Sequence, residues 1–245
     1  MLLVICQWLK KGKLDMAKIS FLISTNRPYD TCAKRVIDGI EQQGLLDNNE
    51  VIVCSNDPIQ DNRIVNIEDT LKTNGTLGFN QAAKASNGDI LVVLCDDHEV
   101  LVNTNIENIF NNDIFKDRKY KILTMATHTD ALRPAYLGPI PEYPETYIIP
   151  RTPMCRFPIL TRETYMDLGN YIFHPKFNLK SSFFPDNYLS YFLYMNNEEV
   201  VQTKDIILYS YQNEVQQHNN QYFDECLDIY MDLLTNLKSG DPYVS

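Results

Sequence analysis

The chain has 245 residues, 44% of them hydrophobic and 22% charged, a balance that belongs to a folded globular protein and excludes a fibrous or disordered one. Lys and Arg number 22 against 32 Asp and Glu, a formal net charge of −10, which argues against a broad phosphate-binding surface and so against nucleic acid as a partner. An anionic small molecule is compatible only where a local cation, a metal or a row of backbone N–H groups neutralises it.

Residues 1–15 (MLLVICQWLKKGKLD) form a leader of unassigned role. Its apolar run is too short for a membrane span and no small-residue cleavage site follows, so neither a membrane segment nor a signal peptide of usual form is expected. Met16 is a candidate internal start. Lys18 to Ser24 (KISFLIS) is a continuous apolar run bounded by Asn26, Arg27 and Pro28, which predicts a buried strand running into a loop. Cys32, Val36 and Ile40 then repeat every four residues, predicting a helix with Asp30 or Thr31 as its cap and Gly44 as its stop. Glu50 to Cys54 predicts a second buried strand ending in the turn residues Ser55, Asn56, Asp57 and Pro58, and Arg63 to Ile67 a short third. A helix from about Thr76 to Ser86 and a turn at Asn87-Gly88 lead to the most apolar strand, Asp89 to Cys95. Strands apolar on both faces, alternating with helices, predict an α/β fold with a parallel sheet covered by helices. Ligands of such sheets bind beyond the strand C-termini, so the loops at 24–28, 55–58 and 95–99 are expected to face one site.

The second half is different in kind. Seven of the twelve prolines fall between Pro134 and Pro158, predicting a long irregular loop. Ten of the chain's aromatics lie between Tyr165 and Tyr194, around a helix beginning near Pro185. A strand at Asp205 to Ser210 follows, and then a closing helix whose apolar face is Phe223, Cys226, Leu227, Tyr230, Leu233, Leu234 and Leu237. The six cysteines (Cys6, Cys32, Cys54, Cys95, Cys155, Cys226) contain no CxxC and sit mostly in apolar runs, which predicts buried thiols, no disulfides and a reducing, cytoplasmic setting.

The sharpest chemical feature is Cys95-Asp96-Asp97-His98-Glu99, which places two adjacent carboxylates and an imidazole at the ligand-binding edge of the sheet. A hard divalent cation resolves their mutual repulsion and bridges to a diphosphate; a solvated acidic turn is the alternative. The segments KISFLISTNRP, EVIVCSNDP and GTLGFNQAAKASNGDILVVLCDDHEV, in this order, resemble the nucleotide-sugar-binding half of family 2 glycosyltransferases of the GT-A fold. The resemblance is clear over about residues 18–101 and weaker to about residue 195. It implies a GT-A-like, mostly parallel central sheet flanked by helices, with an acceptor-side α+β second half. One continuous catalytic domain would comprise a nucleotide-sugar half (16–130) and an acceptor half (131–245).

Carried onto this chain, the resemblance implies that Thr25, Asn26 and Arg27 sit beside the nucleobase and ribose, that Asn56 and Asp57 face the base, and that the turn with Gly78 and Asn80 lies along the nucleotide. Asp97 would be the leading ligand of Mn²⁺ or Mg²⁺, with Asp96 nearest the ribose. The family commonly has acids where this chain has Ser55 and Asn56, so the base stays open; many members have Asp where it has Cys95, which is a variant of the motif also found in the family. SSFFPDNYLSYFLY resembles the family's later acidic motif and implies that Asp186 deprotonates the acceptor hydroxyl; as a residue at a helix start, it is equally placed to favour the helix N-terminus. His218 is either a further metal ligand, as in some family members, or a surface or capping residue. His98 adjoins the acid pair, while His128 and His174 have no supporting context. Arg151 and Arg156 are candidate diphosphate ligands or solvated loop cations, and the aromatics after Tyr165 either stack on acceptor sugars or fill the core.

The implied activity is metal-dependent transfer of a sugar from a nucleoside diphosphate to a hydroxyl of a glycan or other acceptor, inverting by single displacement. A non-catalytic nucleotide- or sugar-binding relative is the rival from another class. Nucleotidyl transfer is disfavoured because STNRPYD lacks the Gly-rich basic loop it uses. GxGxxG and GxxxxGK[ST] are both missing, which removes dehydrogenase and P-loop readings.

Overall fold

The computed structural model describes residues 17–69, 75–102, 105–128, 148–150, 155–179, 184–198, 200–210 and 223–238. The leader, Arg151, His218 and most of the Pro-rich stretch lie outside these residues.

Four strands, β1 (Ile19–Thr25), β2 (Glu50–Ser55), β3 (Ile64–Glu68) and β4 (Ile90–Cys95), run parallel in the order β3-β2-β1-β4. Every residue of β1 is buried, because its alternating side chains enter two different cores. Phe21 and Ile23 join Val51, Val53, Val92 and Leu94 in one. Leu22 joins Ile52, Leu91 and Val93 in the other. Helix α1 (Ala33–Gln42) covers the first core with Val36, Ile37 and Ile40, and α2 (Thr76–Ala85) covers the second with Ala82 and Ala83. This is the expected α/β sheet flanked by helices.

The sheet continues through the second half of the chain. Strand β8 (Pro158–Thr161) lies antiparallel to β4, followed by β6 (Ile122–His128), β9 (Val201–Ser210) and β5 (His98–Val102), while β7 (Ile148–Pro150) also pairs with β9. Four shorter or later helices complete the described chain: α3 (Ile106–Phe110), α4 (Arg162–Asp167), α5 (Pro185–Met195) and α6 (Phe223–Lys238). Leu189, Phe192 and Leu193 of α5 and Leu233 and Leu237 of α6 pack into the second core with Leu160 of β8. Several aromatics of this half, including Tyr165, Phe173, Phe177 and Tyr188, are therefore core residues, whereas Tyr194 and Phe223 are exposed.

Register determines where chemistry is possible. Thr25 pairs with Ser55, and Ser24 with Cys95, so β1, β2 and β4 end level with one another and deliver three loops to one edge. Gly78 lets α2 approach that edge, since a Cβ there would lie 2.8 Å from Ser24 Cβ and closer still to its hydroxyl.

Three local expectations are corrected. The cap expected at Asp30 or Thr31 is replaced by a 3₁₀ turn over Tyr29–Thr31, with Cys32 at the N-cap of α1 and no side-chain cap bond. Pro28, at φ −55°, starts the turn early, and the Thr31 hydroxyl donates back to its carbonyl at 3.1 Å. The loop expected at 95–99 is only the turn Asp96-Asp97, with β5 beginning at His98, because Val100 and its neighbours find β9 as a partner. The strand expected at Asp205 begins earlier, at Val201. Gly44 ends α1 in the left-handed region, φ +69°, as a stop requires.

Candidate functional site

The ends of β1 and β4 meet at a charged cluster. Asp96 and Asp97 form the turn between β4 and β5, and both are buried, each 7% exposed. Buried carboxylates require compensation, and Arg27 supplies it from the loop after β1. Its Nε donates to Asp96 Oδ2 at 3.0 Å, its Nη2 donates to Asp96 Oδ1, and the same Nη2 lies 3.2 Å from Asp97 Oδ2. The Thr25 hydroxyl donates to Asp96 Oδ2 and accepts the Arg27 backbone N–H at 3.1 Å, which fixes the root of the arginine. The hydrogen bond to Asp96 holds the Arg27 guanidinium even more firmly protonated than usual.

The second oxygen of Asp97, Oδ1, is 2.5 Å from His98 Nδ1, and His98 in turn packs against the Phe157 ring at 5.2 Å between centroids. Burial works against the charge of Asp97, but the His98 bond and the Arg27 charge outweigh it and hold the carboxyl well below its usual range. Cys95 completes the cluster. Donor atoms of Cys95, Asp97 and His98 all lie within 4.8 Å of one another, a span that one divalent ion can bridge, and a mixed sulfur, oxygen and nitrogen set suits a borderline transition ion better than Mg²⁺. Burial and the two neighbouring aspartates push the Cys95 thiol well up, so it is held protonated beside them. The adjacency of Cys95 and His98 to Asp97 in the chain is the sequence signal for both.

The residues after β2 line the adjoining loop. Ser55 is buried; its hydroxyl donates to the Asp57 carbonyl at 2.7 Å and accepts from Asn66 Nδ2 at 2.8 Å. Asn56 Oδ1 is buried without a hydrogen-bond partner, whereas Asn26 and Asp57 are exposed. The loop is tied down beyond the site by Arg63, which binds Asp61 at 2.6 Å, Asp38 at 2.8 Å and Glu41 at 2.6 Å, while the Tyr29 hydroxyl donates to the same Asp61. The Asn80 amide donates to the Phe173 carbonyl at 2.9 Å and accepts from the Ile172 and Phe173 N–H groups at 3.0 and 3.2 Å. It stitches α2 to the second half of the chain. Gly78 faces Ser24 and Cys54.

Asp186 lies in the first turn of α5, after Phe184 in the left-handed region (φ 68°) and Pro185 at the start of the helix. It is half-buried, and its Oδ1 accepts from the Asn187 N–H at 3.0 Å. Burial pushes its carboxyl above the usual value, against the opposing pull of that N–H and of Arg156. A run of contacts leads from it back to the acid pair. The Asp186 carbonyl accepts from the Ser190 hydroxyl at 2.7 Å, and that hydroxyl accepts the Cys155 N–H at 2.6 Å. Next in the chain, Arg156 is exposed with its guanidinium 5.4 Å from the Phe157 ring centroid, and its charge is felt at both Cys95 and Asp186. Thr25, Arg27, Asp96 and Asp97 thus form one cluster, Asn26, Asn56 and Asp57 adjoin it in the strand-end loops, and Arg156 lies within electrostatic reach of both Cys95 and Asp186. His174 belongs elsewhere: it is buried, its Nδ1 accepts from the Lys176 N–H at 3.2 Å, and its ring packs on Tyr188.

The described cysteines Cys32, Cys54, Cys95, Cys155 and Cys226 are all free, and no helix of the described residues is long and apolar enough to cross a membrane. No protein-family model matches the chain, and no curated protein matches its sequence. Solved structures do resemble it. GalNAc-T7, solved with UDP, GalNAc and Mn²⁺, superposes with a TM-score of 0.57 at 11% identity, over 81% of this chain and 44% of its own. Staphylococcus aureus TarS 1–349 superposes with a TM-score of 0.56 at 14% identity, over 89% of this chain and 66% of its own, and its complex with UDP with a TM-score of 0.55 at 11% identity. The chain therefore spans less than two thirds of each of these structures. At such identities the likeness establishes the architecture: this chain has the GT-A-like α/β fold found in glycosyltransferases.

Proposed function

We propose that the chain is a glycosyltransferase of the family 2 type, moving a sugar from a nucleoside-diphosphate donor to a hydroxyl of a glycan or other acceptor by a single inverting displacement. The observation that carries this reading is the contrast between two carboxyl environments, one at the end of β4 and one at the start of α5. Asp97 is held ionised by His98 and Arg27, while Asp186 is pushed up by burial, and Arg156 acts on both neighbourhoods. Environments that drive acids apart in this way separate a charge-binding role from a proton-accepting one.

In this reading Thr25, Asn26, Asn56 and Asp57 surround the base and ribose, and Asp96 orients the ribose from its fixed bond to Thr25. Asn56 Oδ1, buried and unpartnered, is suited to accept a base N–H. Asp97, His98 and Cys95 would hold a divalent cation, which supplies charge stabilisation for a departing diphosphate. Arg156, exposed beside the cluster, is placed to fork the diphosphate oxygens. Asp186 takes the proton of the acceptor hydroxyl as that oxygen attacks the anomeric carbon, and its raised proton affinity makes it the better base for the task. Gly78 and Asn80 act by placing α2 rather than by touching donor. UDP is the first donor nucleotide to test, since GalNAc-T7 and TarS were both solved with it.

Incubation of the full chain with a panel of UDP-sugars and Mn²⁺, with release of UDP followed by coupled assay, tests the activity. Release that requires Asp186 supports transfer. Mn²⁺-dependent UDP binding with no turnover toward any sugar or acceptor identifies a non-catalytic relative instead.

A further inference from the structure

We infer that Arg27 couples metal binding to diphosphate binding: it serves as the resident counter-cation of the Asp96–Asp97 pair and opposes a divalent ion at Asp97 until a diphosphate is present to share between them. The inference rests on the donor-site reading above and adds an order and a mechanism to it.

The geometry is asymmetric in a way that matters. Toward Asp96 the arginine makes a two-pronged contact through Nε and Nη2, backed by the bonded pair Thr25 and Arg27 N–H. Toward Asp97 it makes a single longer contact, Nη2 to Oδ2 at 3.2 Å. The other oxygen of Asp97 is engaged by His98 at 2.5 Å, so Oδ2 is the oxygen that an arriving cation and the guanidinium must share. Arg27 is also the outermost member, its side chain 29% exposed against 9% and 10% for the two carboxylates. A divalent ion arriving alone meets a fixed positive charge at the oxygen it needs, and repulsion between unit charges at hydrogen-bonding range is substantial where water is largely excluded. A nucleoside diphosphate reverses the sign of that encounter. Its oxygens attract the guanidinium and the ion alike, so two cations that repel each other become two sides of one clamp. The contact that gives way is the longer one to Asp97, while Nε and Nη2 keep Asp96.

Coupling of this kind is reciprocal, so it appears equally in the metal's affinity and in the nucleotide's. Mn²⁺ binding, followed by the electron paramagnetic resonance signal of the free ion, is measured with and without saturating UDP on wild type, Arg27→Gln and Arg27→Lys. Wild type is expected to bind Mn²⁺ at least about 10-fold more tightly with UDP present, a size ordinary for coupled sites. Arg27→Gln is expected to bind Mn²⁺ alone more tightly than wild type and to lose most of the gain from UDP. Arg27→Lys, which keeps a cation without the fork, is expected to keep Mn²⁺ alone weak and to show a reduced gain. Wild type that binds UDP and Mn²⁺ independently, or an Arg27→Lys protein that gains Mn²⁺ affinity as Arg27→Gln does, overturns the coupling and leaves the donor site standing. Wild type that binds no UDP under any condition overturns both.

Discussion

The two acidic centres of this protein, at the end of β4 and at the start of α5, are built on opposite principles. Asp96 and Asp97 are surrounded by donors: a guanidinium, a hydroxyl and an imidazole leave their charge heavily compensated, and Asp97 is correspondingly hard to protonate. Asp186 has backbone N–H groups and the charge of Arg156 set against its burial, which outweighs them, and is correspondingly easier to protonate. The first arrangement suits a site that must stay charged to receive cations and sugar hydroxyls. The second suits a group whose work is to take up a proton. The two are positioned differently: Asp96 and Asp97 follow directly from β4 in the parallel sheet, whereas α5 is tied to the chain at residue 155 through Ser190.

The comparison is tested most severely at Asp186. Asp186→Asn is expected to lower sugar transfer by about 10²- to 10⁴-fold, the range for a lost general base, with UDP affinity unchanged by calorimetry. The same substitution should raise thermal stability at neutral pH. The sign follows from the direction of the shift. A carboxyl easier to protonate when folded costs no stability below its unfolded pKa and increasingly costs it as pH rises through the folded value. The stabilising effect of Asn should therefore fade in acid, which melting curves across pH will show. In wild type, kcat/KM should fall on acidification at a pH above the ordinary carboxylate range, and a fall confined to lower pH would remove Asp186 from the role of base.

At the opposite centre, Asp97→Ala should weaken Mn²⁺-dependent UDP binding by about 10- to 100-fold while leaving metal-free binding nearly unchanged. Titrations with Mn²⁺ and with EDTA separate the two. Gly78→Ala tests the packing that brings α2 to the edge. The added methyl group meets Ser24, and a loss of about 1–3 kcal/mol is expected in chemical unfolding. The smallest effect is expected at Arg63→Ala, about 1 kcal/mol, since its ion pairs are partly solvated. Asp61 is held low chiefly by Arg63, and Asp38 by Lys34 and then Arg63. Their contribution is present above the usual carboxylate range and lost as pH falls through the lowered values, so wild type and Arg63→Ala should converge in stability in acid.

Much of the first half was legible in the sequence because its signals are local. A run such as DILVVLC is apolar on both faces only if both faces are covered, and the acid pair directly after it marks the C-terminal edge of the parallel strands. Glycine at position 78 was equally visible, although its reason, the close approach to Ser24, is tertiary. What sequence spacing did not reveal were the interactions between segments. Arg27 and Asp96 are 69 residues apart and meet only because β1 and β4 are neighbours in register. Asn80 looked like a donor-site residue by position, and its amide is engaged with backbone 92 and 93 residues away. The second half offered fewer cues. Its aromatics admit core and sugar-stacking roles in sequence, with core the commoner one, and packing places Tyr165, Phe177 and Tyr188 in the core.

The division of labour between the two acids is tested most directly by calorimetric titration of UDP with Mn²⁺ into wild type, Asp97→Ala and Asp186→Asn, alongside the transfer rate of each. The account predicts that Asp97→Ala loses metal-dependent binding, whereas Asp186→Asn binds as wild type does and fails to transfer. Metal-dependent binding that survives in Asp97→Ala, or transfer that survives in Asp186→Asn, would contradict it.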